Sequence, residues 1–141
     1  MTDFNALFAS TRTIAVVGCS ARTERTSHRI ATYLKNNGFR IIPVNPNYDT
    51  VLGQTCYPSL LDIPDETEID ILNIFRNPRY TADMVEDAVR RSAQTGRHPV
   101  IWTQIGVSSN EAREKARAAD LPYIKNRCIM VEHSRRTSVE D

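Results

Sequence analysis

The stretch from Thr13 to Pro46, TIAVVGCSARTERTSHRIATYLKNNGFRIIPVNP, constrains the fold more than any other part of the chain. Ile14 to Val17 is a continuous apolar run with β-branched residues and no polar alternation, the pattern of a strand covered on both faces. Gly18 ends it. Ile30, Tyr33 and Leu34 then recur at i, i+3, i+4 spacing, so the next segment reads as an amphipathic helix, with Gly38 placed as its C-terminal glycine. Phe39 to Val44 reads as a second buried strand, which Pro46 stops. Two such strands joined through a helix make a parallel β-α-β unit with a right-handed crossover.

The remaining residues repeat the alternation. Phe4, Leu7 and Phe8 have the spacing of a short leading helix. Asn47 to Pro64 is irregular, punctuated by Gly53, Pro58 and Pro64, with room for a short strand at Thr55–Tyr57 and a helical turn at Ser59–Leu61. Ile69 to Phe75 reads as a third strand. Asn77-Pro78 starts a helix with proline at its first position, Ala82, Val85, Ala88, Val89 and Ser92 give its packed face, and Gly96 stops it. Pro99 to Trp102 is a fourth strand. Ser108-x-x-Glu111 matches a capping box before a helix whose small face is Ala112, Ala116 and Ala119. Leu121 to Ile124 is a fifth strand, with Pro122 at its start as an edge position allows.

The expected architecture is α/β: a Rossmann-like doubly wound parallel sheet of about five strands in a single domain, residues 1–133, followed by a loose polar C-terminal tail, residues 134–141. In such a sheet a ligand lies at the carboxyl ends of the strands, near the switch in strand order. The loops after Val17, Val44, Phe75 and Trp102 are therefore the places to search.

After the first strand comes Gly18-Cys19-Ser20-Ala21-Arg22-Thr23-Glu24-Arg25-Thr26-Ser27. A glycine lets backbone approach a ligand closely. Ser20, Thr26 and Ser27 offer hydroxyls, with Thr26 or Ser27 a candidate helix cap, and the helix N-terminus adds N–H groups and a positive dipole end. Arg22, Arg25 and Arg29 can neutralise phosphate oxygens. The plainer alternative is a solvated arginine-rich loop before an ordinary helix.

The dinucleotide fingerprint G-x-G-x-x-G is absent, because Ser20 and Thr23 occupy its second and third glycine positions. Nor does a carboxylate follow the second strand, where an NAD site needs one for the ribose hydroxyls; Val44, Asn45 and Pro46 stand there. Arg76 and Asn77-Pro78 follow the third strand and face the same edge, or serve only as helix entry. Trp102 walls the cleft or packs in the core.

Composition narrows the function classes. With 141 residues and a formal net charge of +1, the chain gives no reason to expect nucleic acid or an anionic membrane as its partner. MTDFNALFAS lacks the basic and long apolar regions of a signal peptide, and no apolar run approaches the ~20 residues that span a bilayer, so a cytoplasmic location is expected. Cys19, Cys56 and Cys128 form no C-x-x-C pair and read as reduced thiols. A helix N-terminus beside Cys19 would lower its pKa. His28 borders the loop, His98 precedes Pro99, and Cys128, Glu132 and His133 form a C-x-x-x-E-H group with no fourth metal ligand nearby. No metal and no catalytic residue is expected, and a binding module is favoured over an enzyme.

The segments VVGCSARTERTSHRIATYLKNNGFRIIPVNP, YPSLLDIP, IFRNP, WTQIGV and NRCIMVEH occur in this order from the first strand to about His133. In them the chain resembles the small CoA-binding proteins whose domain is similar to the CoA-binding domain of the succinyl-CoA synthetase α subunit. The resemblance implies that Gly18, Cys19 and Ser20 line the pyrophosphate region of coenzyme A, supported by Arg25 and Ser27. It implies that Val44, Asn45 and Pro46 flank the adenosine, and that Phe75, Arg76, Asn77 and Pro78 border the pantetheine groove. Thr26 stands where many relatives have proline, and Cys19 where an aliphatic residue is common.

The expected ligand is CoA or an acyl-CoA, bound by a stand-alone binding or regulatory module. A small NAD(P)-dependent oxidoreductase and an accessory subunit of an acyl-CoA synthetase are the alternatives. The edge near Pro122 and the Met130–Val131 segment offer a homodimer or an unknown protein partner a surface.

Overall fold

A computed structural model describes residues 3–139. Helix α1 (Phe4–Ser10) leads into strand β1 (Thr13–Val17), helix α2 (Thr26–Asn36) and strand β2 (Arg40–Val44). A small hairpin of β3 (Thr50–Val51) and β4 (Gln54–Thr55) and a 3₁₀ turn (Leu60–Asp62) separate this unit from β5 (Ile71–Ile74). Helix α3 (Pro78–Thr95), β6 (Val100–Thr103), α4 (Asn110–Ala118), β7 (Tyr123–Ile124) and α5 (Ile129–Val139) complete the chain.

The five strands of the main sheet lie in the order β2-β1-β5-β6-β7, and every pairing is parallel. The expected Rossmann-like α/β architecture is thus the observed one. Strand pleating divides the core into two layers. Ala15, Val17, Leu72 and Ile74 face α3 and α4, which bring Ala82, Val85, Ala88, Ala112 and Ala116 against the sheet. Ile14, Val16, Ile71 and Trp102 face the opposite side, with Phe8, Ile30, Leu34 and Ile129 from α1, α2 and α5. Small residues on α3 and α4 let helices approach the sheet closely. Large side chains fill the other layer, each fully buried one contributing ~1.5–3 kcal/mol.

Several local expectations shift. Ser109, not Ser108, caps α4, its side chain accepting from the Ala112 N–H at 3.1 Å. Ser108 instead pairs with the Tyr123 hydroxyl at 2.7 Å, a tertiary bond that removes it from the cap. Residues 134–139 continue α5 rather than forming a loose tail, since Glu132 and Arg135 pair along its surface while Ile129 anchors it in the core. Glu140 and Asp141 lie outside the described residues, as do Met1 and Thr2. Trp102 is a core residue: it is wholly buried, packs near Phe4 and Phe8, and donates from Nε1 to the Arg127 carbonyl at 2.7 Å.

Candidate functional site

The chain leaves β1 to form β2 on one side, then crosses over to form β5 on the other. This reversal opens a crevice at the carboxyl ends of β1 and β5, the usual ligand position in a doubly wound sheet. Gly18 lies at its base with φ of 86°. Its N–H donates to the Val44 carbonyl at 2.8 Å, and the Phe75 N–H donates to the Val17 carbonyl at 2.8 Å, so the register of three strands fixes where the loops diverge. A Cβ at Gly18 would lie 2.6 Å from the Phe75 carbonyl oxygen. Glycine is required both by the backbone angle and by this approach.

Two cavities meet at Gly18. The wider and more open, about 430 Å³, is lined by Ser20, Arg22, Arg25, Ser27, Asn45 and Tyr48, among others. The narrower, about 100 Å³, is walled mainly by apolar groups, including Val17, Val44, Leu60, Ile74 and Met84. Phe75 borders the first and Arg76 the second.

The wide cavity is bordered by hydroxyls, guanidinium groups and a helix start, groups that an anion can use. Helix α2 begins at Thr26 with Arg25 at its N-cap and no side-chain capping bond, so its first-turn N–H groups remain open to a ligand. Neither Thr26 nor Ser27 caps it. Ser27 Oγ accepts from the Ser20 N–H at 3.0 Å instead, and Ser20 Oγ accepts from the Arg22 N–H at 3.0 Å, folding the loop back over the helix start. His28 Nδ1 lies 2.9 Å from the Ser20 carbonyl oxygen and holds the same turn. Arg22 is paired at 2.8 Å with Glu24. That carboxyl is held below its usual range, first by a backbone hydrogen bond and then by Arg22. Arg25 is exposed and pairs with no carboxylate among the described residues.

Asn45 occupies the position an NAD site gives to an acid. Its Nδ2 donates to the Cys19 carbonyl at 3.0 Å and its Oδ1 accepts from the Asn47 N–H at 3.0 Å. Both ends of the amide therefore tie loops together, and neither offers the charged acceptor that a ribose diol requires.

Cys19 is wholly buried, and burial, with the Cys56 thiol nearby, pushes its pKa up to about 12. The lowering expected from the helix N-terminus is outweighed because the sulfur points into the core, not along the helix axis into solvent. Asn77 caps α3 by accepting from the Arg79 N–H at 3.0 Å, and Pro78 takes the first helical position. Neither lines either cavity, whereas Gly18, Ser20, Arg25, Ser27, Val44, Asn45, Pro46, Phe75 and Arg76 all do. Glu132 binds Arg127 and Arg135, and His133 meets the Tyr33 hydroxyl at 2.8 Å. Among the described residues no group of three His, Cys, Asp or Glu could hold a metal ion. No helix among them is long and apolar enough to cross a membrane.

Tyr48 and Asp87 are lining residues that sequence reasoning passed over. The Tyr48 hydroxyl lies 3.4 Å from Ser20 Oγ, and only the return of the chain after β2 brings it there. Asp87 does carry a sequence signal: it follows Met84 by three positions and precedes buried Arg91 by four, so a charge sits on an inward helix face. Burial holds its carboxyl above the ordinary carboxylate range, with Arg90 opposing that rise and Glu86 and Asp83 adding to it. Arg76 is the other charged residue on the walls of the narrow cavity.

A carboxyl with a raised folded-state pKa favours folding while protonated and loses that contribution as pH rises through its folded pKa. Asp87→Asn should therefore melt at a higher temperature than the parent near neutral pH. The difference should close as pH falls below the ordinary aspartate value of about 3.9. A difference that persists unchanged into acid would contradict the burial of this carboxyl as its cause.

A parallel sheet with a switch-point crevice and an uncapped helix N-terminus beside basic side chains defines a nucleotide-type binding domain of the Rossmann-like class. The chain matches the CoA binding domain family over residues 12–134 and belongs to it. It is 33% identical over 132 residues to the uncharacterized protein YneT of Bacillus subtilis, covering 94% of this chain and 93% of that one. It is 36% identical over 111 residues to acetate–CoA ligase (ADP-forming) II of Archaeoglobus fulgidus, a match that takes in 77% of this chain but 15% of the ligase. A solved structure of a hypothetical protein from Pyrococcus horikoshii OT3 superimposes with a TM-score of 0.87 at 37% identity, over 97% of this chain and 93% of the other. The domain is thus related to the CoA-binding part of acyl-CoA synthetases.

Proposed function

We propose that this protein binds CoA or an acyl-CoA in the crevice at Gly18 and acts as a stand-alone binding or regulatory module. The meeting of an anion-ready cavity and an apolar one at that glycine carries the reading. CoA has the matching asymmetry: a pyrophosphate and a ribose 3′-phosphate on one side, and apolar surface on the other. Because its ribose carries the 3′-phosphate, no free diol calls for a carboxylate at Asn45. Ser20, Arg25 and Ser27 with the α2 N–H groups hold the phosphates, and the backbone of Gly18 and Cys19 gives them room.

A role as accessory subunit of an acyl-CoA synthetase has one observation in its favour, the ligase relative of which this chain matches a small part. In that case a second chain docks near the crevice and supplies the chemistry.

Thermal unfolding with CoA, dephospho-CoA and NAD tests the binding reading. CoA at a hundred times its dissociation constant should add about 2.7 kcal/mol of stability. NAD should add little. Arg25→Ala should weaken CoA binding roughly tenfold by removing one charge-assisted phosphate contact. Stabilisation by NAD and not by CoA would overturn the proposal, and unchanged affinity in the Arg25 variant would remove that residue from the site.

A further inference from the structure

The main sheet has two edges, and among the described residues only one of them is covered. Along β2 the Tyr57 N–H donates to the Pro43 carbonyl at 3.1 Å, and the Asn45 N–H to the Tyr57 carbonyl at 2.9 Å. That segment closes the β2 edge. Strand β7 forms the other edge, and no described strand pairs with its outer side. The Ile101 N–H donates to the Pro122 carbonyl at 2.8 Å, and Thr103 Oγ1 to the Ile124 carbonyl at 2.7 Å. The carbonyls of residues 122 and 124 therefore face β6. Alternation along the strand turns the N–H and carbonyl of Tyr123 outward, where no described protein group meets them.

An open cleft of about 390 Å³ lies beside this edge, between α4 and β7. Leu121, Pro122 and Tyr123 give it an apolar lining, and Arg113, Arg117 and Asp120 add charge. Ser108 Oγ lies 2.7 Å from the Tyr123 hydroxyl and holds that ring in place. Arg113 and Arg117 are exposed and pair with no carboxylate among the described residues, although Asp120 lines the same cleft. Two arginines against one aspartate, with exposed Lys125 following β7, leave the edge positively charged. A second copy of the chain would bring these cations against their own kind, so the edge resists pairing with itself.

We propose that the β7 edge and its cleft receive an extended acidic segment of a partner protein, which adds a sixth strand to the five-stranded sheet. Spacing sets the sequence that fits. Helix α4 returns the chain from the end of β6 to the start of β7, so it runs alongside the edge. Arg113 and Arg117 are one turn apart, a rise of about 6 Å along the helix. Residues two apart on a strand share a face and lie about 6.6 Å apart. Carboxylates at alternate positions of the added strand therefore meet both guanidinium groups through charge-assisted hydrogen bonds. The backbone of the same segment pairs with the Tyr123 N–H and carbonyl. Strands β5 and β6 separate this edge from β1 and the crevice, so the proposal stands whichever ligand the crevice takes.

The test titrates the full, isotope-labelled chain with short capped peptides rich in valine and threonine and follows its backbone amide signals. One peptide carries two glutamates at alternate positions, a second carries them at adjacent positions on opposite faces, and a third carries lysines at the alternate positions. The first should shift the Tyr123 amide signal and slow its exchange with solvent. It should bind roughly tenfold tighter than the second, the effect of one hydrogen bond to a charged group. Replacing both arginines, Arg113→Ala with Arg117→Ala, should reduce that preference to about twofold or less. Both side chains are exposed, so neither change threatens the fold. Equal affinity for the two glutamate peptides, binding of the lysine peptide as tightly as the first, or no shift at Tyr123 with any of them would overturn the proposal. Tyr123 signals that move with protein concentration alone would assign the edge to a second copy and overturn it as well.

Discussion

Gly18→Ala should abolish CoA binding and destabilise the protein by at least about 2 kcal/mol. Two separable costs act at this position. The φ of 86° lies in the left-handed region that a side chain disfavours. The added Cβ would also press to 2.6 Å from the Phe75 carbonyl oxygen and 3.1 Å from Arg76 Cδ. Backbone cannot yield as a flexible side chain can, so the β1 and β5 loops must separate. That movement displaces the two cavity mouths relative to each other, and CoA bound as proposed spans both. Gly53→Ala supplies the comparison: its φ is 72°, yet nothing lies within 4 Å of the added carbon, so it should carry only the backbone cost, about 1–2 kcal/mol. Chemical denaturation of both variants, with CoA titration of each, separates the terms. Equal destabilisation of the two, or CoA binding by Gly18→Ala at the parent affinity, would show that close packing against Phe75 is not what the site depends on.

Arg91→Ala should cost about 3 kcal/mol or more of folding stability, the largest effect expected far from the crevice. Arg91 is buried on α3 and donates from Nη1 to the Ile63 carbonyl at 2.7 Å, and from Nη2 to the carbonyls of Pro64 and Thr67 at 2.9 and 2.8 Å. Burial draws its pKa below the ordinary arginine value, with Asp65 opposing, but a guanidinium stays charged. One side chain therefore fastens the segment between the 3₁₀ turn and β5 to the helix. Removal strands three carbonyls, although some regain water, so the separate bond energies do not simply add. Arg91→Lys should recover only part, because an ammonium cannot fork to three acceptors in one plane. The stapled segment follows the Pro58–Leu60 wall of the narrow cavity, so CoA affinity should fall as well. Urea unfolding with a loss under 1 kcal/mol would contradict this role.

Elements governed by local pattern were legible in the chain. The unbroken apolar run of β1, the β-branched and aromatic residues around β5, the helical spacing of Ile30, Tyr33 and Leu34, and the glycine and proline stops identified the sheet class and the loop after the first strand. Features settled by tertiary contact were not. Ser108 and Ser109 are equivalent as caps until Tyr123 engages the first of them. Trp102 is equally suited to a cleft and a core until α1 brings Phe4 and Phe8 against it. The Cys19 thiol follows its burial and not the adjacent helix terminus, and no spacing reveals on which side of a loop a sulfur will lie. Asp87 reaches the narrow cavity only because α3 packs on the sheet face beside Leu72 and Ile74. The absent cap on α2 is a local rule broken at the crevice, where a ligand can satisfy the exposed N–H groups.

CoA as the ligand is tested most directly by native mass spectrometry of protein purified gently and without added nucleotide, followed by titration with CoA. The expected spectrum shows one CoA or acyl-CoA mass per chain, either retained from purification or restored by added CoA, and its loss in Gly18→Ala. A protein that emerges with NAD bound and takes up no CoA on titration would contradict the account at its centre.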